Sequence, residues 1–251
     1  MCLLALFFRV FEEAPIVIGA NREERHARRG EPPQILEGRC RSAGGVDPVA
    51  GGTWLGVNER GVLAAVTNRA KSVVPEQPPS RGLLVRDLLD CPDAAGAIAL
   101  ARQELETNRF AGCNLLVVDQ SRACVLEAGD WLRIHPLPPG LHVVTAGDVN
   151  DPADARLRYA RDWLSEQGPA NAAECVGKLK ELCAQPGNGT PPICIHGEQS
   201  GTISSSILAL GARQGIYWHA QGPPDTTPYR DFSHLLAALG LAKRVTADGI
   251  A

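Results

Sequence analysis

A cysteine stands directly after the initiator methionine, and it is the residue of this chain best placed to do chemistry. Removal of Met1 is expected beside so small a neighbour. It would leave Cys2 with a thiol and a free α-amine on one residue. The amine has a reference pKa of roughly 7.7–8.0, so part of it is neutral near pH 7. It can then take the thiol proton directly or through a water, which makes nucleophile and base a single residue. An unassisted thiol is only about a few per cent ionised there, so that help matters. The chemistry would be nucleophilic attack by the Cys2 thiolate. The other reading of Cys2 is a buried thiol packed in the first strand.

Gly19-Ala20-Asn21-Arg22-Glu23-Glu24 ends an apolar run and is expected to enter a polar turn. An arginine and carboxylates there would orient an N-terminal amine, or would form a surface ion-pair cluster. His196-Gly197 with Ser200 nearby lacks the Gly-x-Ser-x-Gly order of a nucleophile elbow and reads as a structural histidine. Gly44-Gly45 and Gly51-Gly52 are followed by no Gly-Lys-Ser/Thr, so they are not phosphate loops. Trp54 and Trp218 read as core or pocket wall. The cysteines, at 2, 40, 91, 113, 124, 175, 183 and 194, form no Cys-x-x-Cys pair. No metal ligand set and no cofactor are expected. Their low density in a long chain reads as free thiols in a reducing compartment, hence cytoplasmic.

Positioning these residues requires strands at the start of the chain. Residues 3–8 and 16–20 are short apolar runs with Glu12-Glu13 between them. Residues 53–57 and 62–67 form another pair. Between the pairs, 31–52 holds repeated Pro and Gly and reads as a long irregular excursion, and 69–79 as a second Pro-rich loop. Both loops are expected to wall a cleft with Cys2 at its base. Ser80 caps a helix to about Leu89, and Asp93 caps one to about Glu106. Strands at 114–118, 124–127, a weaker 132–135, and 142–145 follow. Asp151-Pro152 opens a helix that turns Leu157, Ala160 and Leu164 inward and stops near Gly168. Asn171 with Glu174 makes a capping box for a helix to about Cys183. Strands at 193–196, 204–210 and 216–220 precede a last helix at 229–239, and the tail from Lys243 is expected to fray. Helices come in pairs between groups of strands, with no strict βαβ alternation. That order disfavours a doubly wound parallel sheet and favours two mostly antiparallel sheets with helix pairs packed outside, an α+β architecture in a single domain spanning 1–251.

The net charge of -3 offers no basic surface for nucleic acid. No stretch approaches the length of a transmembrane helix, and the apolar start lacks a basic leader and a cleavage site.

An ordered series of short motifs runs through the chain. It comprises Met-Cys at the start, Asn21-Arg22-Glu23-Glu24 with Arg28, the stretch from Gly51 through Trp54 to Asn58, Thr67-Asn68-Arg69, Ser80-Arg81-Gly82, Asn114-Leu115-Leu116, and Gly201-Thr202 with Ser204-Ser205-Ser206. This series resembles the NRDE family, also called the transport-and-Golgi-organisation family. That family is similar to the choloylglycine hydrolase and penicillin acylase branch of N-terminal-nucleophile (Ntn) hydrolases. The resemblance implies a four-layer αββα sandwich with Cys2 as nucleophile. Glu23 stands where such enzymes carry an Asp near the nucleophile's amine, and Asn68 in the place of a side-chain oxyanion donor. Asn21, Arg22, Trp54 and Arg69 are expected to contact substrate. Three positions depart from the family: Glu23 replaces Asp, Ala146 or Gly147 an Asn, and Ile203 an Arg. The implied activity is hydrolysis of a non-peptide carbon–nitrogen bond in a small acyl substrate. The rival expectation is a non-catalytic binding or trafficking protein for a hydrophobic ligand such as haem or a lipid.

Overall fold

The computed structural model describes residues 2–211 and 215–242. A six-stranded sheet contains β1 (Leu3–Phe8), β2 (Ile16–Arg25), β10 (Gly140–Val144), β11 (Ser200–Leu210), β12 (Gly215–Ala220) and β13 (Arg230–Asp231), in the order β10-β1-β2-β11-β12-β13. A seven-stranded sheet runs in chain order through β3 (Glu31–Leu36), β4 (Ser42–Val46), β5 (Leu55–Asn58), β6 (Leu63–Asn68), β7 (Cys113–Val118), β8 (Ala123–Ala128) and β9 (Leu132–Leu137). Neighbouring strands pair antiparallel in both.

Burial on both faces explains why strands such as β1 are apolar throughout rather than alternating. In β1, Leu4, Leu6 and Phe8 meet Leu55, Val57, Leu63 and Leu116 of the other sheet in a core between the sheets. Leu3, Ala5 and Phe7 point the opposite way, onto α3 (Ala155–Gln167) and α4 (Ala172–Cys183). Across the molecule, Val62, Ala64, Leu115 and Val117 turn outward onto α1 (Arg81–Leu89) and α2 (Ala94–Glu106). The layers are therefore αββα, as expected, with the short α5 (Ser233–Ala238) against β12.

The helix starts follow their caps. Ser80, Asp93 and Asn171 each accept a hydrogen bond from a first-turn backbone N–H. Leu157, Ala160 and Leu164 are buried, and α3 ends on Gly168 in the left-handed region.

Several expectations are corrected. Residues 31–52 are not an irregular excursion, because β3 and β4 lie within them. Pro32 and Pro33 are tolerated because β3 is an edge strand with an irregular register. The polar run 21–24 is not a turn but continues β2 to Arg25. The cap of α3 is Asp154, with Asp151 instead closing a turn onto Ala153. Residues 193–196 are buried at their start but are not a strand. Their backbone is bonded by Asn21, Arg156, Thr202 and the Gln185 carbonyl rather than by a ladder. Arg230–Asp231 pairs with β12, so the last helix begins only at Ser233. The tail from Lys243 lies outside the described residues.

Candidate active site

The period of two along β2 sorts the polar run. Ile16, Ile18 and Ala20 face the core between the sheets, and Val17 faces the helices. Asn21 and Glu23 continue the helix-facing side. Arg22 continues the inner side, beside the start of β1, where Leu3 pairs with Asn21. This brings Cys2 and Arg22 together at one end of the sandwich.

They open into a pocket of about 360 Å³, with Glu23, Trp54 and Asn68 also on its wall. Asp47, from the segment before Gly52, and Pro78 and Pro79, from the loop before α1, complete the rim. Both segments expected to wall a cleft therefore contribute to it.

Cys2 Sγ faces the Glu23 carbonyl at 3.8 Å. Burial pushes this thiol up to about 11, and the Glu23 carboxylate adds to the rise. The nearby Arg22 guanidinium pulls the other way, toward the thiolate. Its effect is outweighed, because the cost of burying a thiolate is larger. Glu23 is buried on the helix side. Its Oε1 accepts Arg156 Nη2 of α3 at 3.1 Å and the Thr202 hydroxyl of β11 at 3.2 Å. Burial still raises this carboxyl to about 7, against the pull of Arg156.

Trp54 is held by missing side chains. A Cβ on Gly45 would lie 2.4 Å from its ring and one on Gly30 2.5 Å. The guanidinium of Arg22 stacks over the same ring, 4.3 Å from its centroid. A second close approach shapes the wall. A Cβ on Gly52 would meet the Gly82 backbone at 2.3 Å, and Thr53 N–H donates to the Gly82 carbonyl at 3.0 Å. The first turn of α1 thereby lies against the lead-in to β5.

Asn68 ends β6, is exposed, and makes no side-chain hydrogen bond among the described residues. Its amide is thus available to a ligand.

Asn21 and Arg69 are not brought to this pocket. Asn21 Nδ2 donates to the carbonyls of Cys183 and Ile193 at 2.9 and 3.0 Å, tying β2 to the end of α4. Arg69 donates to Asn114 Oδ1, the Gly147 carbonyl and Asp148. Ile203 is the extra residue of a bulge in β11 opposite Arg22 and Glu23, and it does not line the pocket.

Arg156 and Asp47 have a place here that no motif marks, and Thr202 has one that its motif does not specify. Arg156 and Thr202 hold Glu23. Asp47 receives Arg28 at 2.6 Å across the rim, and its Oδ1 accepts the Val49 N–H in the turn before Gly52. Elsewhere Cys194, His196 and Asp225 converge, although no metal ligand set was expected from the spacing of the cysteines.

No helix among the described residues is long and apolar enough to cross a membrane.

Residues 1–185 match the family model Transport and Golgi organisation 2. The human Transport and Golgi organization protein 2 homolog is 32% identical over 137 residues, covering 49% of this chain and 47% of that protein. The bovine homolog is 30% identical over 140 residues, covering 52% and 48%. The chain spans about half the length of the curated relatives it matches. Among solved structures, penicillin V acylase from Agrobacterium tumefaciens superposes with a TM-score of 0.56 at 16% identity, covering 98% of this chain and 90% of that one. The C2A mutant of conjugated bile acid hydrolase from Clostridium perfringens gives 0.58 at 10% identity, covering 93% of each. The Caenorhabditis elegans ortholog of N-acylethanolamine-hydrolyzing acid amidase gives 0.59 at 14% identity, covering 83% and 92%. The fold is that of these Ntn hydrolases.

Proposed function

The chain belongs to the Transport and Golgi organisation 2 family, and from that premise we propose that it is an N-terminal cysteine hydrolase cleaving a non-peptide carbon–nitrogen bond in a small acyl substrate. One observation carries the reading. Cys2, Arg22, Glu23, Trp54 and Asn68, scattered over the first 68 residues, share one pocket on a fold like that of an acylase and an amidase.

Loss of Met1 gives Cys2 its free amine. The neutral amine takes the thiol proton, and the thiolate attacks the substrate carbonyl. Charge that develops on the carbonyl oxygen is met by the Asn68 amide and a backbone N–H. The amide is suited to this because it donates without titrating. The protonated amine then gives its proton to the leaving nitrogen, and the carbon–nitrogen bond breaks to leave a thioester. Water, deprotonated by the same amine, releases the acid and restores the thiol. Glu23, clamped by Arg156 and Thr202, holds the amine in place. Burial holds the thiol up at about 11, so attack near neutral pH depends on the free amine that loss of Met1 supplies.

Turnover of a panel of N-acyl amides by Met1-free protein tests the reading. Amine release is expected, and Cys2→Ala should reduce it to background. Equal release by both proteins would refute it.

A second reading is a binding protein for a hydrophobic ligand. The raised thiol, together with Ala146, Gly147 and Ile203 at the departing positions, supports it. Saturable ligand binding that survives in Cys2→Ala, with no turnover in either protein, would favour this reading.

A further inference from the structure

Between the segment ahead of β11 and the turn after β12, three different donor atoms converge. Cys194 is buried, and its Sγ lies 3.3 Å from Asp225 Oδ1 and 3.7 Å from His196 Nε2. The same Nε2 lies 2.7 Å from Asp225 Oδ2. All three donors fall within 4.8 Å of one another.

This is not the arrangement of a Cys-His-Asp relay. A relay uses both ring nitrogens, one toward the thiol and one toward the carboxylate. Here a single nitrogen faces both partners, so the three atoms point at one shared space. Tetrahedral zinc, with bonds of roughly 2.0–2.3 Å to nitrogen, oxygen and sulfur, places its donors roughly 3.3–3.6 Å apart. Two of the three separations lie within a few tenths of an ångström of that range, and the histidine–carboxylate contact needs only to open. The donors also sit on well-fixed backbone. The carbonyl of Ile193 is held by Asn21 and Arg156, the N–H of Ile195 by Thr202, and Asp225 lies in a turn closed by Thr227 N–H onto the Pro223 carbonyl.

We propose that Cys194, His196 and Asp225 bind one divalent transition metal of the zinc class. A thiolate, an imidazole and a carboxylate form a donor set that suits zinc or cobalt and not calcium or magnesium. Since His196 and Asp225 are exposed, the fourth position opens to solvent and takes a water. On binding, the metal replaces the Cys194 thiol proton, which passes to the buffer. The metal would clasp the segment ahead of β11 to the turn after β12.

The test uses the full chain, stripped with chelator and titrated with Co²⁺ and then Zn²⁺. One equivalent of cobalt should bind with a thiolate-to-metal charge-transfer band, and zinc should displace it. Cys194→Ser should abolish the band. His196→Ala and Asp225→Asn should each weaken zinc binding at least about tenfold. Both residues are exposed, so these variants keep the fold and carry the test even if Cys194→Ser does not. Cys2→Ser should leave band and stoichiometry unchanged. Absence of a band in the wild type, its persistence in Cys194→Ser, its loss in Cys2→Ser, or unchanged affinity in both surface variants would each overturn the proposal.

Discussion

Burial raises both the Cys2 thiol and the Glu23 carboxyl, and the Glu23 carboxylate adds to the rise of the thiol. Glu23 titrates at about 7 in the fold, against about 4.5 for a free side chain. Its folded-state pKa is raised, so its contribution to stability is fully present below about 4.5 and is lost as pH rises through about 7. Glu23→Gln removes that titration. The stability of the wild type relative to Glu23→Gln should therefore fall between about pH 5 and 8, by on the order of 1–3 kcal/mol. Urea denaturation across this range checks it, and parallel curves would count against a buried, titrating Glu23. Asn68 offers a cleaner separation of roles, since its exposed amide makes no side-chain hydrogen bond among the described residues. Asn68→Ala should lower kcat on the order of 10²–10³-fold with KM little changed. Its unfolding free energy should stay within about 0.5 kcal/mol of wild type. Of this site, Cys2 and the motif residues were legible by type. Arg156 was not, and Thr202 was marked only as a motif residue without a role, because they reach Glu23 from 133 and 179 positions away.

At the scale of elements, the motifs divide into those that line the pocket and those that build it. Asn58 Nδ2 donates to the carbonyls of Leu89 and Cys91, and its Oδ1 accepts the N–H of Arg60 and Val62, so its capacity goes into joining the β5–β6 turn to the end of α1. Arg81 donates to the Gly112 carbonyl at 2.7 Å, and Gly82 allows the close crossing with Thr53. Gly45 has the same kind of purpose beneath Trp54. Gly45→Ala should displace the indole, destabilise the fold by about 1–3 kcal/mol, and perturb the near-ultraviolet circular dichroism of the aromatic side chains. An unaltered spectrum and midpoint would show that Trp54 is not seated there. Strands buried on both faces and capped helices were readable from apolar runs and from Ser80, Asp93 and Asn171. The segment 193–196 was misread because burial makes a run apolar whether or not a ladder bonds it. β3 was missed because prolines conceal an edge strand.

Across the whole molecule, one chain of hydrogen bonds ties three layers together at the end that holds the pocket. Thr67 of the seven-stranded sheet donates to the Thr145 carbonyl just beyond β10, and the Thr145 hydroxyl donates to Asp154, the cap of α3. Arg156 on that helix then reaches Glu23. The order of strand groups and helix pairs was enough to anticipate the layers, but not this chain of contacts, whose members are scattered through the sequence. The layered burial also governs thiol access. Cys91, Cys113, Cys124, Cys175, Cys183 and Cys194 are buried, whereas Cys2 and Cys40 are partly exposed. A limiting alkylating reagent on native protein should label those two and spare the other six, as peptide mass mapping would show. The most direct measurement of the central claim is the intact mass of Met1-free protein exposed to a panel of reactive acyl donors. The account predicts a single acyl adduct, mapped to Cys2, absent from Cys2→Ala and lost with time as water releases it. An adduct that forms equally in Cys2→Ala, or no adduct from any donor on protein with a confirmed N-terminal cysteine, would contradict it.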